Sequence, residues 1–172
     1  MPPSDQIDPL GAPRKVPTAA DFPKSGPFSL AAPGPRFGAR ALDLSVIALP
    51  VLIVIAVTAR TVDGQLQLEV PSWLMPATLA LGVIYEFLFV VVAQRSLGKM
   101  LFGLKVVRFV DGGRPTASQS ALRALLPWSV LALPLGPFAL GALLLIYGTG
   151  VSGDLHRGWP DAAGGTLVIS TR

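Results

Sequence analysis

Arg40 and Asp43 stand three residues apart at the head of an apolar run, RFGARALDLSVIALPVLIVIAV, residues 36–57. On a helix that spacing puts both on one face. A charge at the mouth of a membrane helix costs free energy unless it is paired, reaches the surface or handles an ion. Two chemistries fit. Asp43 could bind a proton or a cation while Arg40 tunes its affinity. Alternatively the two form an ion pair that snorkels to the interface and locks helix packing. Glu86 is the deepest acid, inside VIYEFLFVV and about 13 Å along a helix from Arg95. An unpaired carboxylate there is costly or protonated. Glu86 is therefore either a proton or cation site between helices or a glutamate hydrogen-bonded to Tyr85, Arg123 or a backbone group. Arg123 opens a later apolar stretch, where it either pairs with Asp43 or Asp161 or anchors to lipid phosphates.

No catalytic set accompanies these charges, so an enzyme is not expected. No serine has an evident base, and cysteine is absent. His156 is the only histidine, and one histidine among scattered acids makes no metal constellation. No metal and no cofactor are expected. DGGRP has two glycines but no lysine–serine follow-on, so it reads as a turn. The net charge of +4 would suit nucleic acid, but the basic residues flank apolar runs. Zinc-ligand spacing and aromatic–basic interleaving are missing, which argues against a nucleic-acid partner. The expected partner is the lipid bilayer. Hydrophobic residues make up 51% and charged residues 14% of the chain, against about 25% charged in soluble domains.

Three apolar stretches must position the charges. The first, Leu42 to Val57, reaches about 24 Å as a helix. It spans a core of about 30 Å if the helix begins near Pro35, a residue suited to a first helical turn. The second, Trp73 to Ala93, has spanning length, with Trp73 as interfacial anchor. The third, Ala121 to Gly150, is interrupted by Pro134-Leu135-Gly136-Pro137. Its two arms reach only about 18–21 Å each, so it is either one bent span or a helical hairpin that dips in and returns. Residues 1–34, rich in proline and poor in apolar pattern, read as a disordered N-terminal tail. Residues 35–172 read as one transmembrane domain.

Between the second and third stretches, Leu97, Met100, Leu101 and Leu104 fall at helical spacing. They predict an amphipathic helix at the interface, with Lys99 and Lys105 off its apolar stripe. KVVRFV and TLVIST each read as a strand, and pairing them would satisfy their backbone groups. That pairing requires both on one side of the membrane, which favours the hairpin. Arg14, Lys15, Lys24, Arg36 and Arg40 precede the first span. Arg95, Lys99, Lys105, Arg108, Arg114 and Arg123 follow the second, against only Arg60 between them. The positive-inside rule then makes the N-terminus cytoplasmic. The fold class is an all-α polytopic membrane protein. It has two full transmembrane helices, a proline-broken third segment, an interfacial helix and a small cytoplasmic strand pair.

RFGARALDLSVIAL, SLGKMLFGLKVVRFVDGGRP and HRGWPDAAGGTLVI, in this order, resemble the RDD family of small bacterial integral membrane proteins, named for one arginine and two aspartates. The resemblance covers Arg36 to Ile169. It aligns Arg40 with the family arginine, Asp43 with the first aspartate and Asp161 with the second. The family usually has histidine before the second aspartate, where this chain has Pro160. The resemblance implies a multi-pass protein of the bacterial cytoplasmic membrane that transports a small solute or a cation or proton. The competing expectation is a non-catalytic accessory or scaffold subunit of a larger membrane complex, and either form could be a homo-oligomer. The resulting expectation for the site is that Arg40, Asp43, Asp161 and Arg123 form one charge cluster of zero sum, facing protein, with Glu86 in support.

Overall fold

The computed structural model describes residues 16–62, 65–133 and 138–172. Helix α1, Pro33–Thr58, opens on prolines in its first turn and continues past Pro50. Helix α2 spans Leu74–Ala93. At 26 and 20 residues these are about 39 and 30 Å long, and both are apolar enough to cross a membrane. Between them β1 (Arg60–Val62) and β2 (Gln65–Gln67) pair antiparallel, Val62 opposite Gln65. This hairpin was not expected, although Asp63-Gly64 is a strong hairpin signal between alternating residues. Asp63 and Gly64 themselves lie outside the described residues.

Helix α3 is one short turn, Leu97–Leu101, N-capped by Ser96. Strand β3, Leu104–Arg108, pairs antiparallel with β4, Thr166–Ser170, placing Val106 opposite Val168. The two anticipated strands therefore meet. β3 begins one residue before Lys105, the first of KVVRFV, and ends at Arg108, two residues before its last. The third apolar segment is two helices: α4, Ala117–Leu131, N-capped by a Thr116/Gln119 capping box, and α5, Phe138–Gly148. The proline–glycine break at 134–137 lies outside the described residues. Helix α6, Trp159–Ala163, carries Pro160 in its first turn.

Residues 28–31 add a third edge to the β3–β4 pair. Leu30 bridges Ile169, the amides of Phe28 and Ala31 donate to the Ser170 and Val168 carbonyls, and the Ser170 amide donates to the Ser29 carbonyl. Composition suggests a tail through residue 34, but residues 28–31 join the sheet; residues 1–15 lie outside the described residues. Side-chain alternation gives the sheet two apolar faces. Leu104, Val106 and Val168 pack with Ala31, Ala39 and Val90. Val107, Leu167 and Ile169 pack under Phe22, Leu30, Phe109 and Leu155. The sheet thus closes one end of the α1–α2 pair, the end where α1 begins and α2 stops.

Candidate functional site

That end is where the charges meet. Helix α1 contributes Arg36, Arg40 and Asp43, spaced to share one face. Helix α2 contributes Tyr85 and Glu86. The α3 N-cap contributes Ser96, α3 contributes Gly98 and Lys99, α4 contributes Arg123, and α6 contributes Asp161. Arg40, Asp43, Glu86, Lys99, Arg123 and Asp161 are all buried.

Glu86 sits at the centre. Its Oε2 accepts from Arg40 Nη1 at 2.7 Å, and its Oε1 lies 4.0 Å from Arg123 Nε. Arg123 Nη1 also donates to Asp161 Oδ1 and, at 3.0 Å, to Thr166 Oγ1. Arg36 donates to the other Asp161 oxygen and to the His156 carbonyl. Asp43 forms a second, neighbouring group. It accepts from Ser96 Oγ at 2.5 Å, Tyr85 Oη at 2.7 Å and the Gly98 amide at 2.8 Å, with Lys99 Nζ 3.8 Å away. A buried charge left without such partners would cost several kcal/mol, on the order of 3–5.

Two glycines let the backbones come close enough. A Cβ on Gly98 would lie 2.0 Å from the Ala39 carbonyl oxygen and 3.0 Å from Asp43 Oδ1. Only glycine lets α3 meet α1 so that its amide reaches the carboxylate. A Cβ on Gly82 would fall 2.3 Å from the Trp128 ring, so glycine there admits that ring from α4. The Arg40 guanidinium in turn lies 5.6 Å from the Trp128 ring centroid and 4.5 Å from that of Tyr147, within cation–π range.

The sequence expectation paired Arg40 with Asp43. The helix face is shared and both are buried, but they take different partners: Arg40 goes to Glu86, and Asp43 to the α3 turn. Arg123 and Asp161 do pair. The expected zero-sum group of four is instead two neighbouring groups: Arg40–Glu86–Arg123–Asp161–Arg36, joined by ion pairs, and Asp43 with Lys99. One formal positive charge is left over. Lys99 differs most from expectation. The α3 stripe of Leu97, Met100 and Leu101 faces outward, while Lys99 is buried. Burial first, and then nearby Arg123, push its ammonium down to about 8, since desolvation and like charge both disfavour the charged form.

Arg36, Tyr85, Ser96, Lys99 and Tyr147 were not among the candidates. Arg36 had a signal, one turn before Arg40, but it counted only as an interfacial base. Ser96 had the signature of an N-cap residue before an apolar stripe. Nothing local marks Tyr147, which reaches Arg40 across the fold.

A family model, that of the RDD family, matches residues 30–165. The chain belongs to the RDD family. The match begins at Leu30, the residue that bridges β4, and includes every charged residue of the network. RDD membership and two helices of spanning length together mark a membrane protein. No curated protein and no solved structure matches the chain. The departure at Pro160 has a local role in this RDD protein. Pro160 fills the first turn of α6, a position suited to proline, and places Asp161 beside Arg36 and Arg123.

One small cavity adjoins the network. It measures about 40 Å³ and is lined by Arg36, Arg40, Lys99, Arg123, Tyr147 and Asp161 with apolar and backbone neighbours. Arg40 Nε and Nη2, Arg123 Nε and Tyr147 Oη are buried without a hydrogen-bond partner among the described residues. The lining residues can therefore still donate hydrogen bonds.

Proposed function

We propose that this RDD-family protein carries a small solute or ion across the bacterial cytoplasmic membrane, with the buried charge network as its binding point. The observation that carries this reading is the cavity itself. It is lined by six ionisable residues, four of them buried, where two helices of spanning length end, with hydrogen-bonding capacity unused. Intramembrane ionisable groups mark solute and ion pathways more often than they serve packing alone.

The topology we propose has α4 and α5 as a re-entrant hairpin. Arg123, in the second turn of α4, and Tyr147, at the end of α5, line the same cavity. The segment thus leaves the charged end and comes back to it, and transporter sites use such discontinuous helices. The charge bias supports a cytoplasmic position for this end and the N-terminus, and the β3–β4 pairing supports the same side for the C-terminal strand. The test is flux. The purified protein in liposomes should pass a small ion or solute that protein-free liposomes retain, and Glu86→Gln should abolish it. Absence of flux across a panel of inorganic cations, anions and protons would sink the reading.

A second reading has its own support. The same ion pairs tie α1, α2, α3, α4 and α6 together, as a rigid, non-catalytic accessory subunit would need. Gentle-detergent purification from native membranes favours it if one larger complex co-purifies in fixed ratio and flux is missing.

A further inference from the structure

The cavity wall is electrically one-sided. Of the seven charged residues in the two groups, Asp43 and Glu86 do not line the cavity, whereas all four cations do. The single carboxylate on the wall is Asp161, and both its oxygens are already taken, one by Arg123 and one by Arg36. No free carboxylate oxygen faces a guest. Unused donors are present instead: Nε and Nη2 of Arg40, Nε of Arg123 and the Tyr147 hydroxyl, all on lining residues. A buried donor without an acceptor is costly, and an anion is the acceptor that also offsets surplus positive charge.

We propose that this cavity binds a small anion, the size of a halide or of one carboxylate or phosphate group. The inference rests on reading the network as a solute site and names the class of solute. A cation would face four like charges and find no unengaged carboxylate oxygen. The volume sets the upper size. One water needs about 10–15 Å³ by the same measure, so about 40 Å³ admits a chloride-sized ion or the head of an oxyanion. The anion can come from solution or as the phosphate of a lipid headgroup, because the cavity lies near the end of the spans.

Trp128, buried beside Arg40, reports on the site once exposed Trp73 and Trp159 are replaced by phenylalanine. The full chain in a phosphate-free maltoside is titrated with sodium chloride, sodium phosphate or sodium acetate against sodium gluconate at fixed ionic strength. A second arm uses nanodiscs with and without phosphatidylglycerol. A saturable fluorescence change with the small anions but not with gluconate is expected, and it assigns the free ion. A change that needs phosphatidylglycerol assigns the lipid phosphate. Tyr147→Phe, which removes one unused donor and no charge, should weaken binding several-fold in whichever arm responds. A response equal in gluconate, a response to sodium against a bulky organic cation at constant chloride, or no response from a protein that still melts cooperatively would each overturn the proposal. Flux separates it from the transport reading. Anion binding without flux sinks transport alone, and cation flux without anion binding sinks this assignment alone.

Discussion

Helix α1 is two helices in its surroundings. Its first half buries Ala39, Arg40 and Asp43, and the burial stops at Ile47. Its second half exposes Leu49, Leu52, Ile53 and Val57, the last at 80%. In a water-soluble protein the pattern would be reversed, with the aliphatic half inside. Here the aliphatic half is suited to lipid, and the half that carries charge is enclosed by α2, α3, α4 and α6. Helix α2 repeats the arrangement across its width: Gly82, Glu86 and Val90 face in, Ile84, Leu88 and Val92 face out. Where the solvent is hydrocarbon, polar groups are what the fold must hide and satisfy. The charged end therefore depends on specific partners, and the aliphatic end only on being apolar.

The largest expected effect follows from removing the carboxylate that two arginines share. Glu86→Gln leaves Arg40 and Arg123 undercompensated in a buried site and should cost about 3–5 kcal/mol. Glu69→Gln, which breaks only the exposed pair with Arg60 at 3.6 Å, should cost less than about 1 kcal/mol. Thermal unfolding in detergent reads both, and equal losses would erase the contrast between the two ends. Next comes Gly98→Ala. The new methyl would collide with the Ala39 carbonyl and should cost about 1–3 kcal/mol, as overpacking does. Unchanged melting would mean that the α1–α3 approach is looser than described.

Lys99 gives a smaller effect with a definite sign. Its folded ammonium titrates near 8 against 10.5 when unfolded. Between those values the unfolded chain binds more protons, so stability rises with pH from about 8 to about 10.5. Below 8 the cost of the buried charge is fully present. Around it stand Asp43 and Arg40 of α1, Glu86 of α2 and Arg123 of α4, whose charges all act on it. Lys99→Met should flatten that rise, and a slope unchanged by the substitution would place the titration elsewhere. The smallest effect belongs to the aliphatic half. Leu52→Ala should shift stability by no more than about 0.5 kcal/mol, as exposed changes do, and a large loss would reveal a partner covering that face.

What could be seen in the sequence was what depends on composition and period. The two spans, the strand pair and the enclosure of Arg40, Asp43, Glu86, Arg123 and Asp161 follow from apolar length, alternation and the cost of lone charges. What could not be seen was who pairs with whom. Arg40 and Asp43 are neighbours on one helix face, yet Arg40 pairs with Glu86, 46 positions away, and Asp43 with Tyr85 and the start of α3, 42 to 55 positions away. Those pairings depend on Gly82 and Gly98 allowing close approach. A glycine in a helical pattern reads as a loss of propensity until the atom opposite it is known. Lys99 was misplaced for a related reason. Its apolar stripe was legible, but whether that stripe faces protein or lipid depends on which side α1 occupies.

The central claim is that Glu86, on the other span, compensates Arg40 more strongly than its own helix neighbour Asp43 does. A pair of double-mutant cycles measures this directly. Arg40→Met with Glu86→Gln should show a coupling of about 1–3 kcal/mol in thermal unfolding. Arg40→Met with Asp43→Asn should show a smaller one. Additivity of the first pair to within about 0.5 kcal/mol, or a larger coupling in the second, would contradict the account.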